Sequence, residues 1–464
     1  MSSFFLSNAN KRKKKNTKLK SSQKKTSGSR KTKVVDEDVG SDFDFESEEQ
    51  ANRDIDYSED ETAQEKRLRL AKEYLIQLEN EEKDNRQDIS DSEDVVGERL
   101  QREVLEKQGN LERKIASSCI CPSEDDIKIL TGHRLSLTCL CISSNDKYVF
   151  SGSKDCSIVK WNLLIGCKEG KIPSGHVKCG NNENHGHIGH VFAIAISSDG
   201  KFLASGGQDK LIRIWNPEDL THIHTFKGHR EAVTGLAFRH ESNQLFSASK
   251  DRTVKIWSLD EMTFVDTLFG HEDGVTAIDC MRSEQAVTSG GRDSSIRLWK
   301  VVAESQLVFN GAGGSIDCLR MINEKTFVSG SDDGSLSLWN VTKKKPLYTI
   351  HKAHKSGNTD SAYAPRESWT ASVASARNTD LIASGSSDSF IRLWRCEDGN
   401  KSISSLFSIH MIGFVNALAF SNHGEYLVAG VGQEHRLGRW WRLKEAKNCL
   451  CIIPLFKASD VSRT

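Results

Sequence analysis

The sequence predicts an all-β fold, a seven-bladed β-propeller, and three observations carry the prediction. A near-identical segment recurs seven times: SGSKDCSIVKW, SGGQDKLIRIW, SASKDRTVKIW, SGGRDSSIRLW, SGSDDGSLSLW, SGSSDSFIRLW and the deviant AGVGQEHRLGRW. Each copy sets an acid six residues before a Trp: Asp155 and Trp161, Asp209 and Trp215, Asp251 and Trp257, Asp293 and Trp299, Asp333 and Trp339, Asp388 and Trp394, Glu434 and Trp440. The repeat length, roughly 40 to 45 residues, is that of one four-stranded sheet per blade. Such a ring is a binding platform rather than a reaction centre.

The elements follow in order. Residues 1–61 read as a charged tail that stays disordered, because it has too few apolar residues to offset the entropy of ordering. Lys and Arg total 64 and Asp and Glu total 64, but the balance conceals a polarity. Lys11, Arg12, Lys13, Lys14 and Lys15 open a basic run that reaches Lys33 without an acid, and residues 36–61 are acidic with Arg53 as the sole cation. Like-charge blocks of this kind act as interaction tails. Ser41, Ser47 and Ser58 stand directly before acids, as targets of an acid-directed kinase or as plain solvated serines.

Residues 62–118 read as helical. Thr62 and Glu65 make a capping box, and Leu68, Ala71, Leu75 and Leu78 recur at helical spacing. A second helix is expected over 94–116, with Leu100, Val104, Leu111 and Ile115 on one side. Both helices pack on the propeller wall or dock on a partner.

The propeller is expected over 119–456, followed by a tail at 457–464. Residues 163–186 and 351–369 exceed the repeat and read as surface insertions. Either 127–130 or 450–453 supplies the outermost strand of the last blade, since an open sheet edge invites aggregation. No apolar run is long enough to cross a membrane, and the start has no secretory signal pattern. The twelve cysteines are expected as reduced thiols. The pairs Cys119/Cys121, Cys139/Cys141 and Cys449/Cys451 lack zinc spacing and read as small buried hydrophobes. The cluster His176, Cys179, His185, His187 and His190 is likewise irregular, so no metal is expected.

His133, His187, His229 and His271 each follow a Gly and precede their blade's Asp by 22 residues, and Ser151, Ser205, Ser247 and Ser289 precede it by four. With Asp155, Asp209, Asp251, Asp293 and the blade tryptophans these give four sets of His, Ser, Asp and Trp. The pattern resembles the WD40 repeat family, in which such a tetrad is hydrogen-bonded inside each blade. A catalytic triad occurs once, whereas this set repeats blade after blade. Beyond blade 4 the pattern weakens. Ala312 stands where a His is expected, the blade 6 His is His354 across the insertion, and blade 7 has Gly430 and Glu434. These later blades are expected to rely on apolar packing more than on tetrads.

In WD40 propellers the Gly-His loop and the Asp turn emerge on one face. That face would carry Arg134, Lys154, Lys210, Arg230, Lys250, Arg252, Arg292, His435 and Arg436, an arc over blades 7, 1, 2, 3 and 4 suited to a phosphate backbone. Trp441, next to Trp440, reads as inter-blade core or as a stacking surface.

Four tracts narrow the resemblance: EKRLRLAKEYLIQLE (65–79), SASKDRTVKIWSLDE (247–261), ESQLVFNGAGGSIDCLRMINE (304–324) and IGFVNALAF with EYLVAGVGQEHRLGRWWRLKEAKNCLCIIPL (412–455). They resemble the family of U3 small nucleolar RNA-interacting proteins, the WD40 propellers of the U3 small nucleolar ribonucleoprotein. Ala312 and the insertion at 351–369 depart from it. The resemblance implies a non-enzymatic RNA-binding role without cofactor: binding of the box B/C region of U3 small nucleolar RNA beside the kink-turn-binding protein of box C/D particles. It also implies other partners in the small-subunit processome, nucleolar localisation within the nucleus, and support of the early cleavages towards 18S rRNA. Lys11, Arg12, Lys13, Lys14 and Lys15 then resemble a nuclear and nucleolar localisation signal. The alternative is a protein-only WD40 scaffold or peptide reader. No membrane or small-molecule partner is expected.

Overall fold

The computed structural model describes residues 66–70, 72, 74, 97, 100–101, 104–105, 112–175, 185–311, 313–354, 369–397, 399–438 and 441–456. The charged tail, its serines, Lys11 to Lys15, His176, Cys179, Ala312, Trp440 and residues 457–464 lie outside them. Residues 66–70, 72 and 74 are helical, as are 97, 100–101 and 104–105.

Among the described residues, twenty-eight strands, β1 to β28 in chain order, form seven four-stranded antiparallel sheets. The inner strand of each blade is β2 (Leu137–Ile142), β6 (Val191–Ile196), β10 (Val233–Phe238), β14 (Val275–Cys280), β18 (Ile316–Met321), β22 (Thr370–Ser375) or β26 (Phe414–Phe420). Each packs beside the next, and β26 packs beside β2, so the ring closes. The second strand of each blade is sandwiched between neighbouring blades. Segments such as LASGG are therefore buried along their whole length, while outer strands such as KKKPLYTI meet solvent. Small residues recur there because blades approach closely: a Cβ at Gly206 would lie 2.7 Å from Val233.

Closure uses both chain ends. β1 (Lys128–Thr131) is the outermost strand of blade 7 and pairs with β28 (Cys449–Pro454), itself third in the order β1-β28-β27-β26, where β27 is Tyr426–Gly432. The two candidate segments are thus not alternatives. The third strand of blade 7 is also not the segment ending at Trp440, because Cys449–Pro454 occupies that place. Residues 433–438 and 441–448 lie outside the sheet, between β27 and β28.

A strap precedes β1. The expected helix over 94–116 does not extend to its end, since residues 113–116 are non-helical. The Arg113 amide donates to the Asn378 carbonyl at 2.8 Å, and the Asp380 amide to the Arg113 carbonyl at 3.2 Å. The buried Asp380 carboxylate accepts the amides of Ile115 and Ala116 at 2.8 and 3.0 Å. The propeller's own bonding therefore begins before the expected residue 119. Cys449 and Cys451 are buried, whereas Cys121 is exposed.

Asp380→Ala should lower stability by roughly 3 kcal/mol, since two amides lose a charged acceptor in a buried place. Urea unfolding measures this, and a loss below about 0.5 kcal/mol would mean that the strap adds nothing.

Candidate nucleic-acid interface

Five complete tetrads, in blades 1 to 4 and 6, support the loops of one face. In blade 1 Trp161 Nε1 donates to Ser151 Oγ at 2.8 Å, His133 Nε2 lies 2.8 Å from that oxygen, and His133 Nδ1 lies 3.4 Å from Asp155. In blade 2 the contacts join Trp215, Ser205, His187 and Asp209 at 2.8, 2.7 and 2.8 Å. In blade 3 they join Trp257, Ser247, His229 and Asp251 at 2.8, 2.8 and 2.9 Å. Burial alone would raise the Asp155 and Asp251 carboxyls. Hydrogen bonds from the histidines, from Ser157 and Thr253 and from the amides of Arg134 and Arg230 overcome it and hold both well below the ordinary carboxylate range. Ser151, Ser205 and Ser247 are fully buried, so these hydroxyls are closed to any substrate. Burial also fixes the Gly before the His: a Cβ at Gly132 would lie 2.7 Å from the Trp161 ring.

Blade 4 corrects one assignment. Trp299 Nε1 donates to Thr288 Oγ1 at 2.8 Å, and His271 Nε2 lies 2.8 Å from the same oxygen. His271 Nδ1 meets Asp293 at 2.8 Å, while Ser289 sits 2.9 Å from Thr276 instead. Thr288 is opposite Arg297 as Ser247 is opposite Lys255, so the turn before Asp293 is one residue longer here. A one-residue offset sends a strand side chain to the other face. Blade 6 keeps the expected His354, which meets Ser384 at 2.7 Å and Asp388 at 3.1 Å, and Trp394 donates to Ser384 at 2.8 Å, so this blade does not rest on apolar packing alone. Its tetrad is complete despite the insertion. In blade 5 the bond from Trp339 to Ser329 at 2.9 Å is kept.

The nine candidate cationic positions divide. Arg134, Lys210, Arg230, Lys250, Arg252 and Arg292 are exposed on the loops the tetrads support, and Lys210 lies 3.9 Å from Glu231. The arc therefore spans blades 1 to 4. Glu231, Glu272 and Asp273 are exposed in the same loops. Lys154 is only 3% exposed, because its ammonium donates to the Gly438 carbonyl at 2.9 Å and pairs with Glu434 at 3.5 Å. It latches the blade 7 loop onto blade 1 and is not part of a free face. His435 is 5% exposed, and burial, with Arg436 and Lys154 nearby, pushes it down to about 3. It is neutral and contributes no charge to the arc. Arg436 turns inward and crosses the axial channel, donating to the Asp317 carbonyl at 2.5 Å.

Lys250, Arg292 and Arg436 meet at the mouth of the channel, a cavity of about 560 Å³. Sequence reasoning missed other contributors. On the blade 7 loop Arg442, Lys444 and Lys447 are exposed. Trp441 is 44% exposed, with its ring 5.2 Å from Trp369, so it is surface and not inter-blade core. The tract HRLGRWWR carried that signal once its strand assignment is removed.

The WD domain, G-beta repeat, matches residues 124–162, 181–216, 220–258, 262–300, 303–340 and 345–395. These matches end before the blade whose third strand lacks the Asp–Trp segment. The chain is 52% identical over 396 residues to U3 small nucleolar RNA-interacting protein 2 of Homo sapiens, covering 85% of this chain and 83% of the relative. It is 26% identical over 511 residues to Ribosomal RNA-processing protein 9 of Saccharomyces cerevisiae, covering 85% and 89%. A solved structure of U3-55K matches with a TM-score of 0.68 and 51% identity, covering 72% of this chain and 100% of that one.

Thr288→Val should cost roughly 1–3 kcal/mol by stranding the His271 and Trp299 groups, and Ser289→Ala distinctly less. Thermal unfolding decides, and the opposite order would return Ser289 to the tetrad. His435 sets a pH dependence. Its folded value lies below the unfolded 6.5, so stability is full above that pH and falls as the unfolded chain takes up the proton. Its share of the loss between pH 7 and 5 is about 2 kcal/mol, and His435→Gln should flatten the profile by that amount.

Proposed function

The chain belongs to the family of U3 small nucleolar RNA-interacting proteins, and we propose that it is a non-enzymatic RNA-binding component of the U3 small nucleolar ribonucleoprotein in the nucleolus. It binds the box B/C region of U3 RNA beside the kink-turn-binding protein of box C/D particles. It thereby supports small-subunit processome assembly and the early pre-rRNA cleavages towards 18S rRNA. The observation that carries the reading is the set of six exposed cations over blades 1 to 4, five of them without an ion-pair partner among the described residues. The names of the human and yeast relatives support it.

The chemistry of contact follows from RNA shape. An A-form stem offers phosphates and 2′-hydroxyls across a broad surface and hides its base edges, so cations on a rigid face read backbone geometry. Arg134, Lys210, Arg230, Lys250, Arg252 and Arg292 sit on turns pinned by buried tetrads, which reduces the ordering cost of contact. The basic tail at 11–33 would add a second electrostatic arm and direct the chain to the nucleolus. The helices that precede the strap at 113–116 would dock on other proteins of the particle.

Reversing Lys250, Arg252 and Arg292 to Glu together should weaken binding of a U3 RNA transcript at least about tenfold at physiological salt. The log–log salt slope should fall by about two to three, one unit per lost phosphate contact. Filter binding across a salt series, with circular dichroism to verify folding, checks this. Unchanged affinity in the folded variant would remove this face from RNA recognition.

A further inference from the structure

Each inner strand carries a bulge after its first paired residues. The extra residue is Thr138, Phe192, Thr234, Thr276, Asp317, Ala371 or Asn416 in blades 1 to 7. A bulge frees a side chain from the ladder and re-aims it, here towards the channel. In six blades this level of the ring carries a side-chain bond to the next blade's inner strand. Thr138 donates to the Val191 carbonyl, Thr234 to Val275 and Thr276 to Ile316, each at 2.5 Å. Cys318 donates to Thr370 at 3.4 Å, Ser372 to Val415 at 2.9 Å and Asn416 to Leu137 at 3.0 Å, the last closing the ring. Among the described residues, blade 2 alone makes no such bond, because neither Phe192 nor Ala193 carries a side-chain donor.

Phe192 therefore sits where blades 1, 3 and 4 place a threonine hydroxyl. Its ring is half-buried, with one edge towards His190 at 6.2 Å, and it lines the channel mouth with Leu437, Lys250, Arg292 and Arg436. The exposed Lys250 and Arg292 have no ion-pair partner among the described residues. Asp317 lies in the floor, its carboxyl raised by burial and drawn back by Arg436, and Asp273 stands exposed at the rim. An aromatic face, two exposed cations and about 560 Å³ of space fit a ligand with a flat ring and an anionic link.

We propose that the channel mouth receives one unstacked nucleotide of the bound RNA, its base against Phe192 and its phosphate between Lys250 and Arg292. The inference rests on the RNA-binding reading above and adds the subsite. It gives the propeller a contact with an unpaired base that a stem cannot supply. A smooth cationic rim would bind backbone alone, whereas Phe192 forgoes the bond to the next inner strand and presents an aromatic ring instead.

Phe192→Thr isolates the claim, because it installs the residue that blades 1, 3 and 4 use and should fold at least as well. With the full chain and a U3 RNA transcript, this variant should bind about tenfold or more weakly, the effect of one lost base–aromatic stack. Its salt slope should match the unsubstituted chain's, as no phosphate contact is removed. A photoreactive benzoylphenylalanine at 192 should crosslink to an unpaired nucleotide. Wild-type affinity in Phe192→Thr, together with weakened binding by the triple charge reversal, would overturn the subsite and leave the RNA face standing. Failure of the unsubstituted chain to bind the transcript would overturn both. A crosslink at 192 to an acidic peptide would make the mouth a socket for a protein side chain and refute the nucleotide.

Discussion

The pairing of Lys128–Thr131 with Cys449–Pro454 joins the two ends of the propeller inside one sheet, and the ring exists because of it. Seven sheets that bury both faces against neighbours have no stable open form, since the first and last would expose apolar surface and an unpaired edge. The pairing also sets what blade 7 can be. With its third place taken by β28, the segment carrying Glu434 has no strand to occupy. It joins β27 to β28 instead, and its residues 434, 436 and 438 bond to blades 1 and 5.

That loop is built, not loose. Lys154 of blade 1 reaches the Gly438 carbonyl, Asn416 bridges the Leu137 and Glu434 carbonyls at 3.0 and 2.8 Å, and Ser136 receives the Glu434 amide at 3.1 Å. These contacts cross the junction where the ring closes. They carry Arg436 into the channel and leave Trp441 beside Trp369 outside. Closure, channel floor and exposed surface are thus linked through one segment. Around the rest of the face the tetrads play the corresponding part: each fixes a Gly-His loop to an Asp turn from within, so that the outward cations sit on rigid supports.

The architecture was legible because the repeat is written in residues whose roles are positional. An Asp six before a Trp, with a Gly-His 22 before the Asp, describes one blade without ambiguity in blades 1 to 3. Spacing failed where length changed but chemistry did not. One extra turn residue moved the tetrad hydroxyl from Ser289 to Thr288, and the insertion before His354 hid an intact set. The cationic face was legible only as a list. Its exposed members on blades 1 to 4 were readable from turn position, whereas the burial of Lys154 and His435 depends on the blade 7 loop, whose path follows from the strand that displaced it. Phe192 was illegible for another reason: an aromatic in an apolar strand reads as core until the bulge and the ring of side-chain bonds reveal which way it faces.

The central claim, that one face of the ring touches RNA directly, is tested by irradiating cells, purifying the protein under denaturing conditions, and identifying both the attached RNA and the modified peptides. The account predicts U3 RNA covalently bound through its box B/C region, with adducts on peptides from the Gly-His loops and Asp turns of blades 1 to 4. Recovery of U3 RNA under native conditions alone, with no adduct on the propeller, would contradict it and make the ring a protein-binding scaffold.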